Sequence, residues 1–287
     1  MRVNNLEQYF DPQEWKRPTL SHRVRNFIAF GSLGVGKTTL YHHGWRELAE
    51  HGIYQKKDIR QLMGVEPTAH ITRLNIPRRK HGLRLIDSWI DAEGEKFHRI
   101  TQLLLDCQKL PKQKKAKGAP VDNDCLAGTI AAITKCKSGI ILIIPSYLFM
   151  MKKDSLKTTI KEIDRVVNQF LRGNGIFGRN LKCSLLVTQS AIPLPKTGDK
   201  LPSDFCENIR YVMQASSLDR HCQQALVVES LPSKGTKVCG LKYEGSKLLP
   251  DNPSARFCSA GTALAWVMGI LNTKCSEEWG FVVSANG

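Results

Sequence analysis

Residues Phe27 to Leu40 read FIAFGSLGVGKTTL, and the reading of this stretch decides the fold expected for the chain. An apolar run, Phe27-Ile28-Ala29-Phe30, enters the pattern G-x-x-x-x-G-K-T, carried by Gly31, Gly36, Lys37 and Thr38, with a further glycine at Gly34. Glycines permit positive φ and let backbone N–H groups approach phosphate oxygens. A lysine after the last glycine adds a point charge there, and the threonine hydroxyl can join a magnesium coordination sphere. Leu40, Gly44, Trp45 and Leu48 then share one helical face, and Gly52 supplies a stop. Strand, glycine loop and helix follow in the order that aims a helix N-terminus at an anion. A tight turn without a ligand gives no reason for Lys37 and Thr38. The expected phosphate-binding set is therefore Gly31, Ser32, Leu33, Gly34, Val35, Gly36, Lys37, Thr38 and Thr39.

Downstream, Pro67-Thr68 precedes an extended run from His70 to Ile76. Pro77 to Gly82 reads as a turn and Leu83 to Ile90 as a second strand, so the segment predicts a hairpin. Asp91-Ala-Glu-Gly94-Glu95-Lys-Phe97 follows. An acid at the C-terminal end of a strand beside a phosphate loop can hold magnesium through water. The D-x-x-G spacing favours Asp91 for that role; Asp87 is the candidate if the strand stops earlier. Gly94 is placed to offer its N–H to a terminal phosphate. Further on, Gly139 to Ile144 is a β-branched run suited to a strand buried on both faces. Ile160, Ile163, Val166, Val167, Phe170 and Leu171 mark one face of an amphipathic helix. Leu181 to Val187 is the next expected strand, Val238 to Tyr243 the last, and a helix around Ala260 to Leu271 covers the sheet. The alternation predicts an α/β fold of three layers, its sheet mostly parallel with one antiparallel edge strand from the hairpin.

With these residues in place, the chain resembles the translation-factor-related class of P-loop GTPases, which includes the Ras- and Arf-like switches. Within that class it is similar to the bacterial double-GTPase-type domains of presumed conflict and defence systems, where D-x-x-G-E also occurs. The resemblance rests on G-S-L-G-V-G-K-T, Pro67-Thr68, the strand pair and D-A-E-G-E-K-F. It implies a nucleoside triphosphate (GTP or ATP) bound with Mg2+, with Lys37 stabilising phosphate charge and Thr38 and Thr68 on the metal. Thr72 is the reserve for Thr68. Asp91 to Gly94 would be the second switch segment. The chain departs from the class at two places. Glu95 stands where those switches carry a water-orienting glutamine, which implies slow hydrolysis. Thr188-Gln189-Ser190-Ala191 stands where they carry N/T-K-x-D. Thr188 and Gln189 keep the position beside the base, but Ala191 cannot accept hydrogen bonds from guanine.

The 287 residues carry 42 Lys+Arg against 26 Asp+Glu, a formal net charge of +16. Much of that charge falls in two clusters expected on loops, Lys109 to Lys117 and Arg73 to Arg84. They are read as solvated segments, with contact to nucleic-acid phosphates as the alternative. Nine cysteines without a C-x-x-C pair suggest neither a zinc ribbon nor a disulfide framework. No secretory h-region and no apolar run of spanning length is seen, so the expected class is a cytoplasmic protein without a membrane span. The expected organisation is an arm at 1–20, one domain at 21–272 with a basic insertion at 107–125, and a tail at 273–287. The expected function is a GTPase-like nucleotide switch with slow magnesium-dependent hydrolysis, acting on a protein partner. The rivals are an ATP-dependent phosphotransferase or ATPase, and a non-hydrolysing nucleotide-binding scaffold that touches nucleic acid through its basic loops.

Overall fold

The computed structural model describes residues 23–31, 34–56, 72–80, 83–91, 139–174, 182–188, 200–274 and 276–286. The expected arm at 1–20 and the basic insertion at 107–125 lie outside them. The chain begins with β1 (Arg23–Phe30), α1 (Lys37–Glu50), β2 (Thr72–Lys80) and β3 (Leu83–Asp91). Then come β4 (Gly139–Pro145), α2 (Ser146–Phe149), α3 (Leu156–Asn174), β5 (Lys182–Thr188), α4 (Ser203–Ala215) and β6 (Gln224–Val227). Four short strands follow: β7 (Val238–Cys239), β8 (Leu241–Glu244), β9 (Lys247–Pro250) and β10 (Phe257–Cys258). The chain closes with α5 (Ala260–Val267) and β11 (Val282–Ser284).

Seven strands form the main sheet in the order β11-β6-β5-β4-β1-β3-β2. β3, β1, β4, β5 and β6 run parallel, and β2 and β11 are antiparallel at the two edges. The fold is α/β with a mostly parallel central sheet. Strand alternation sorts its side chains onto two faces. Ile28, Phe30, Ile140, Leu142, Leu185 and Val187 pack with Phe149, Ile163, Val167, Phe205 and Ile209 of α2, α3 and α4. Phe27, Ala29, Ile141, Ile143, Leu186 and Leu226 pack with Leu40, Trp45, Leu48, Ala263 and Leu264 of α1 and α5. Helices therefore cover both faces, which fits a three-layer arrangement.

Several boundaries differ from the pattern reading. β2 continues through Pro77 to Lys80, so the expected turn at Pro77 to Gly82 is largely strand, and the basic stretch from Arg73 falls on hairpin strands rather than a loop. β2 is an edge strand, and that is where a missing N–H is tolerated. Val238 to Tyr243 does not close the main sheet: it divides into β7 and β8, which pair with β10 and β9 in two small sheets. The parallel strand beside β5 is β6, whose four residues are too few to show a period. The sheet also has a second antiparallel edge, because β11 from the expected tail pairs with β6. No helix among the described residues is long and apolar enough to cross a membrane.

α1 and α5 meet at glycines. A Cβ on Gly44 would stand 2.4 Å from Leu264 Cδ1, and one on Gly261 would stand 2.4 Å from the Glu47 carboxyl carbon. That absence of side chains lets Glu47 reach the start of α5, where Oε2 accepts the Gly261 N–H at 3.0 Å and Oε1 accepts the Ser259 hydroxyl at 2.7 Å. Ser259 caps α5 by accepting the Thr262 N–H at 3.1 Å. His51, one turn on, lies 2.8 Å from the Leu241 carbonyl through Nε2 and ties the end of α1 to β8.

Burial pushes the Glu47 carboxyl above its ordinary value, opposed by its bonds to Ser259 and Gly261 and by nearby His51. A carboxyl whose folded pKa is raised favours the fold below the ordinary carboxyl range and loses that contribution as pH rises through the raised value. Denaturant midpoints measured between about pH 4 and about pH 7 are expected to fall with rising pH more steeply for the wild type than for Glu47→Gln. Parallel pH profiles would show that Glu47 titrates alike in both states.

Candidate functional site

The loop from Gly31 to Gly36 leaves the carboxyl end of β1, an interior strand of the sheet between β4 and β3. α1, which follows β1, packs on one face, while α2 and α3, which follow β4, pack on the other. Adjacent strands whose connections leave in opposite directions open a crevice at their carboxyl ends, where ligands of open α/β sheets bind. The glycines serve two separate needs there. Gly34 and Gly36 take φ of +75° and +85°, a left-handed conformation costly for other residues. Gly31 is required by space, since a Cβ would sit 2.6 Å from the Ile143 carbonyl oxygen and 2.7 Å from Val35 Cγ2.

α1 begins at Lys37 with Gly36 as its cap residue, no side chain capping it and no acid in its first turn. No acid of its own first turn opposes the helix's N-terminal partial positive charge. Lys37 is 7% exposed, and its Nζ donates to the Gly31 carbonyl at 2.8 Å, spanning the loop from end to end. Thr38 and Thr39 occupy the same first turn, both half-buried. At the end of β5, the buried Thr188 hydroxyl donates to the Val35 carbonyl at 2.7 Å. The Thr188 hydroxyl thus holds the glycine loop from two strands away.

The two candidate metal acids lie in different places. Asp87 pairs in register with Arg25, five residues before Phe30, or about 17 Å down the strand at ~3.3 Å per residue. Asp87 is fully buried and already engaged. Arg25 Nε donates to its Oδ1 at 2.9 Å, Arg25 Nη2 stands 2.8 Å from the same oxygen, and Tyr54 donates to Oδ2 at 3.2 Å. Trp89 Nε1 donates to the Tyr54 oxygen at 3.1 Å, and Arg25 Nη1 to the Met268 carbonyl at 2.7 Å. Burial, then the Asp87 charge, pushes the Tyr54 hydroxyl well above its ordinary value. Phe27 and Trp89 stack at 4.4 Å beside this network, and Arg25 lies 5.1 Å from the Phe27 ring centroid. Asp87 as a magnesium acid is therefore corrected: it is an interior ion-pair partner. A period-2 strand pattern cannot distinguish Asp87 from Asp91. Asp91 is the last residue of β3, one step past Ile90, which pairs with Ile28.

Ser32, Leu33, Thr68, Gly94, Glu95 and Gln189 lie outside the described residues. Among the described residues, no group of three His, Cys, Asp or Glu side chains is arranged to hold a metal ion. The pattern reading missed Glu229, buried at the carboxyl end of β6; its strand was too short to be found, and no motif points to it. No family model matches the chain, and no curated protein matches its sequence.

Two substitutions separate these roles. Asp87→Ala strands the Arg25 guanidinium, and a loss of about 3 kcal/mol in unfolding free energy is expected from chemical denaturation. Thr188→Val leaves a buried Val35 carbonyl without this donor, with an expected loss of about 1–3 kcal/mol. Stability equal to wild type in either variant would contradict the assigned hydrogen bond.

Proposed function

We propose that the protein binds a nucleoside triphosphate with magnesium at the β1–α1 loop and acts as a P-loop nucleotide switch of the GTPase type. The observation that carries this reading is the loop itself. Two left-handed glycines, a third excluded from bearing a side chain by Ile143, and a buried lysine crossing to Gly31 precede an uncapped helix. Each element favours a dense anion: turned backbone N–H groups, a helix N-terminus and a fixed ammonium. The sheet order adds support, because the loop opens where connections diverge.

In this reading Lys37 and the N–H groups of Gly31 to Gly36 neutralise phosphate charge, and Thr38 and Asp91 hold magnesium. Held by these two residues, magnesium would supply positive charge against that of the phosphates. Thr188 keeps the loop in shape through Val35. Thr68 and the segment from Asp91 to Gly94 would be ordered by the terminal phosphate and released on its loss, presenting different surfaces to a protein partner. In the resembled class the residue after the D-x-x-G glycine orients the attacking water, so Glu95 there would set a carboxylate against the phosphate charge and slow hydrolysis.

The test is binding of magnesium complexes of non-hydrolysable GTP and ATP analogues to the full chain. Lys37→Ala is expected to weaken triphosphate binding by at least about a hundredfold, as loss of a charge-assisted contact in a buried site implies. Unchanged affinity in that variant would remove the basis of the proposal. Asp91→Asn is expected to lower the magnesium dependence of binding while leaving the fold intact. Single-turnover hydrolysis by Glu95→Gln is expected to be faster than wild type; equal rates would remove Glu95 from the chemistry.

A further inference from the structure

Five large hydrophobic side chains are exposed among the described residues, and three of them lie within one five-residue turn after β4. Tyr147, Met150 and Met151 are 49%, 46% and 43% exposed. Their spacing of three and four residues puts them on one side of the helical turn that α2 begins. The other side faces inward. Phe149 is fully buried with its ring centroid 6.1 Å from that of Phe205, and Leu148 packs on the same core. The buried Asn208 side chain donates to the Phe149 carbonyl at 2.8 Å and to the Met151 carbonyl at 3.1 Å. The turn is thus held from beneath at two carbonyls while its apolar side chains stand in water. Cations follow at once. Lys152 and Lys153 are exposed, and Lys157, Lys161 and Arg165 recur every four residues along the exposed side of α3, a spacing at which like charges repel. Of the three acids in this stretch, Asp154 lies 2.9 Å from Lys157 Nζ and Asp164 accepts from the Ser217 N–H and hydroxyl, while Glu162 is exposed.

We propose that this turn docks the protein on an anionic lipid surface, with Tyr147, Met150 and Met151 entering the headgroup boundary and Lys152 and Lys153 meeting the lipid charges. The three apolar side chains come from one turn and not from two facing elements, so among the described residues they form a tip rather than a groove. A tip fits a deformable surface, whereas a partner's helix needs a groove to lie in. Tyrosine suits a boundary that is apolar on one side and wet on the other. Lysine stems lie along apolar surface while their ammonium groups stay in water. An anionic leaflet attracts such cations within about a Debye length, and the formal net charge of +16 on the chain has the same sign. Apolar burial and electrostatic attraction add in interfacial binding, and the turn offers both within seven residues. Docking of this kind requires no bound nucleotide. β4 and β1 run parallel, so the turn and the glycine loop leave the same edge of the sheet, and a docked protein would keep that loop beside the lipid surface.

The experiment sediments the full chain with vesicles of phosphatidylcholine alone and with vesicles containing about one-third phosphatidylserine. Wild type is expected to bind the anionic vesicles at least about tenfold more tightly, and to lose most of that preference as salt rises from about 0.1 M to about 1 M. A double variant, Met150→Ser with Met151→Ser, is expected to bind the anionic vesicles about tenfold more weakly than wild type, and Lys152→Glu with Lys153→Glu at least as weakly. Lys234→Glu with Lys237→Glu removes the same charge from exposed positions elsewhere and is expected to bind like wild type. All of these side chains are exposed and the Phe149 and Asn208 contacts are untouched, so thermal melting of each variant should match wild type. Equal weakening in the two lysine pairs would mean attraction by net charge alone, and it overturns docking through this turn. Unchanged affinity in the methionine variant overturns it too. Wild type that binds neither vesicle overturns the lipid surface as the occupant and gives the tip to a protein partner.

Discussion

Gly31 and the Ile143 carbonyl oxygen approach so closely that a single added methyl would stand 2.6 Å from that oxygen. The rest of the site depends on this approach. It holds the end of β1 flush against β4, so the chain must turn away at once, and Gly34 and Gly36 accomplish the turn at positive φ. The turn in turn sets the first residues of α1 and the reach of Lys37 back to Gly31. Val35, trapped between these points, buries its side chain under the sheet edge and gives its carbonyl to Thr188. Both ends of the loop, the start of α1 and the strands β1 and β5 are thus tied together by hydrogen bonds.

Burial of charge is distributed along the strands in a consistent way. Asp87 is compensated inside the protein by Arg25 and Tyr54 at the middle of β3, beside Trp89. Lys37 and Glu229 are the other two buried charged residues among those described, and both lie beyond the carboxyl ends of parallel strands. A buried charge is retained where some group compensates it. For Lys37 the Gly31 carbonyl is one such group, and for Glu229 the Leu231 N–H is another.

The glycine loop was legible in order and composition, because strand, turn and helix are local and each glycine has a local or nearly local reason. The long strands β3, β4 and β5 and the helices α1 and α3 were likewise visible through their apolar patterns. β6 and β11 were not: four and three residues respectively carry no measurable period, and they exist as strands because a neighbour supplies the hydrogen bonds. Pro77 argued for a turn, yet an edge position removes the penalty that makes proline a breaker.

The sequence alone determined the α/β class, the position of the glycine loop and the residue types that define it, since these depend on contacts within a few residues. The tertiary structure alone paired Asp87 with Arg25 and gave Thr188 its partner. Those assignments join residues 62 positions apart for Arg25 and Asp87 and 153 apart for Thr188 and Val35. Strand register and sheet order set such distances. Both arise from which segments can bury their faces together, and a local pattern of residues does not contain that information.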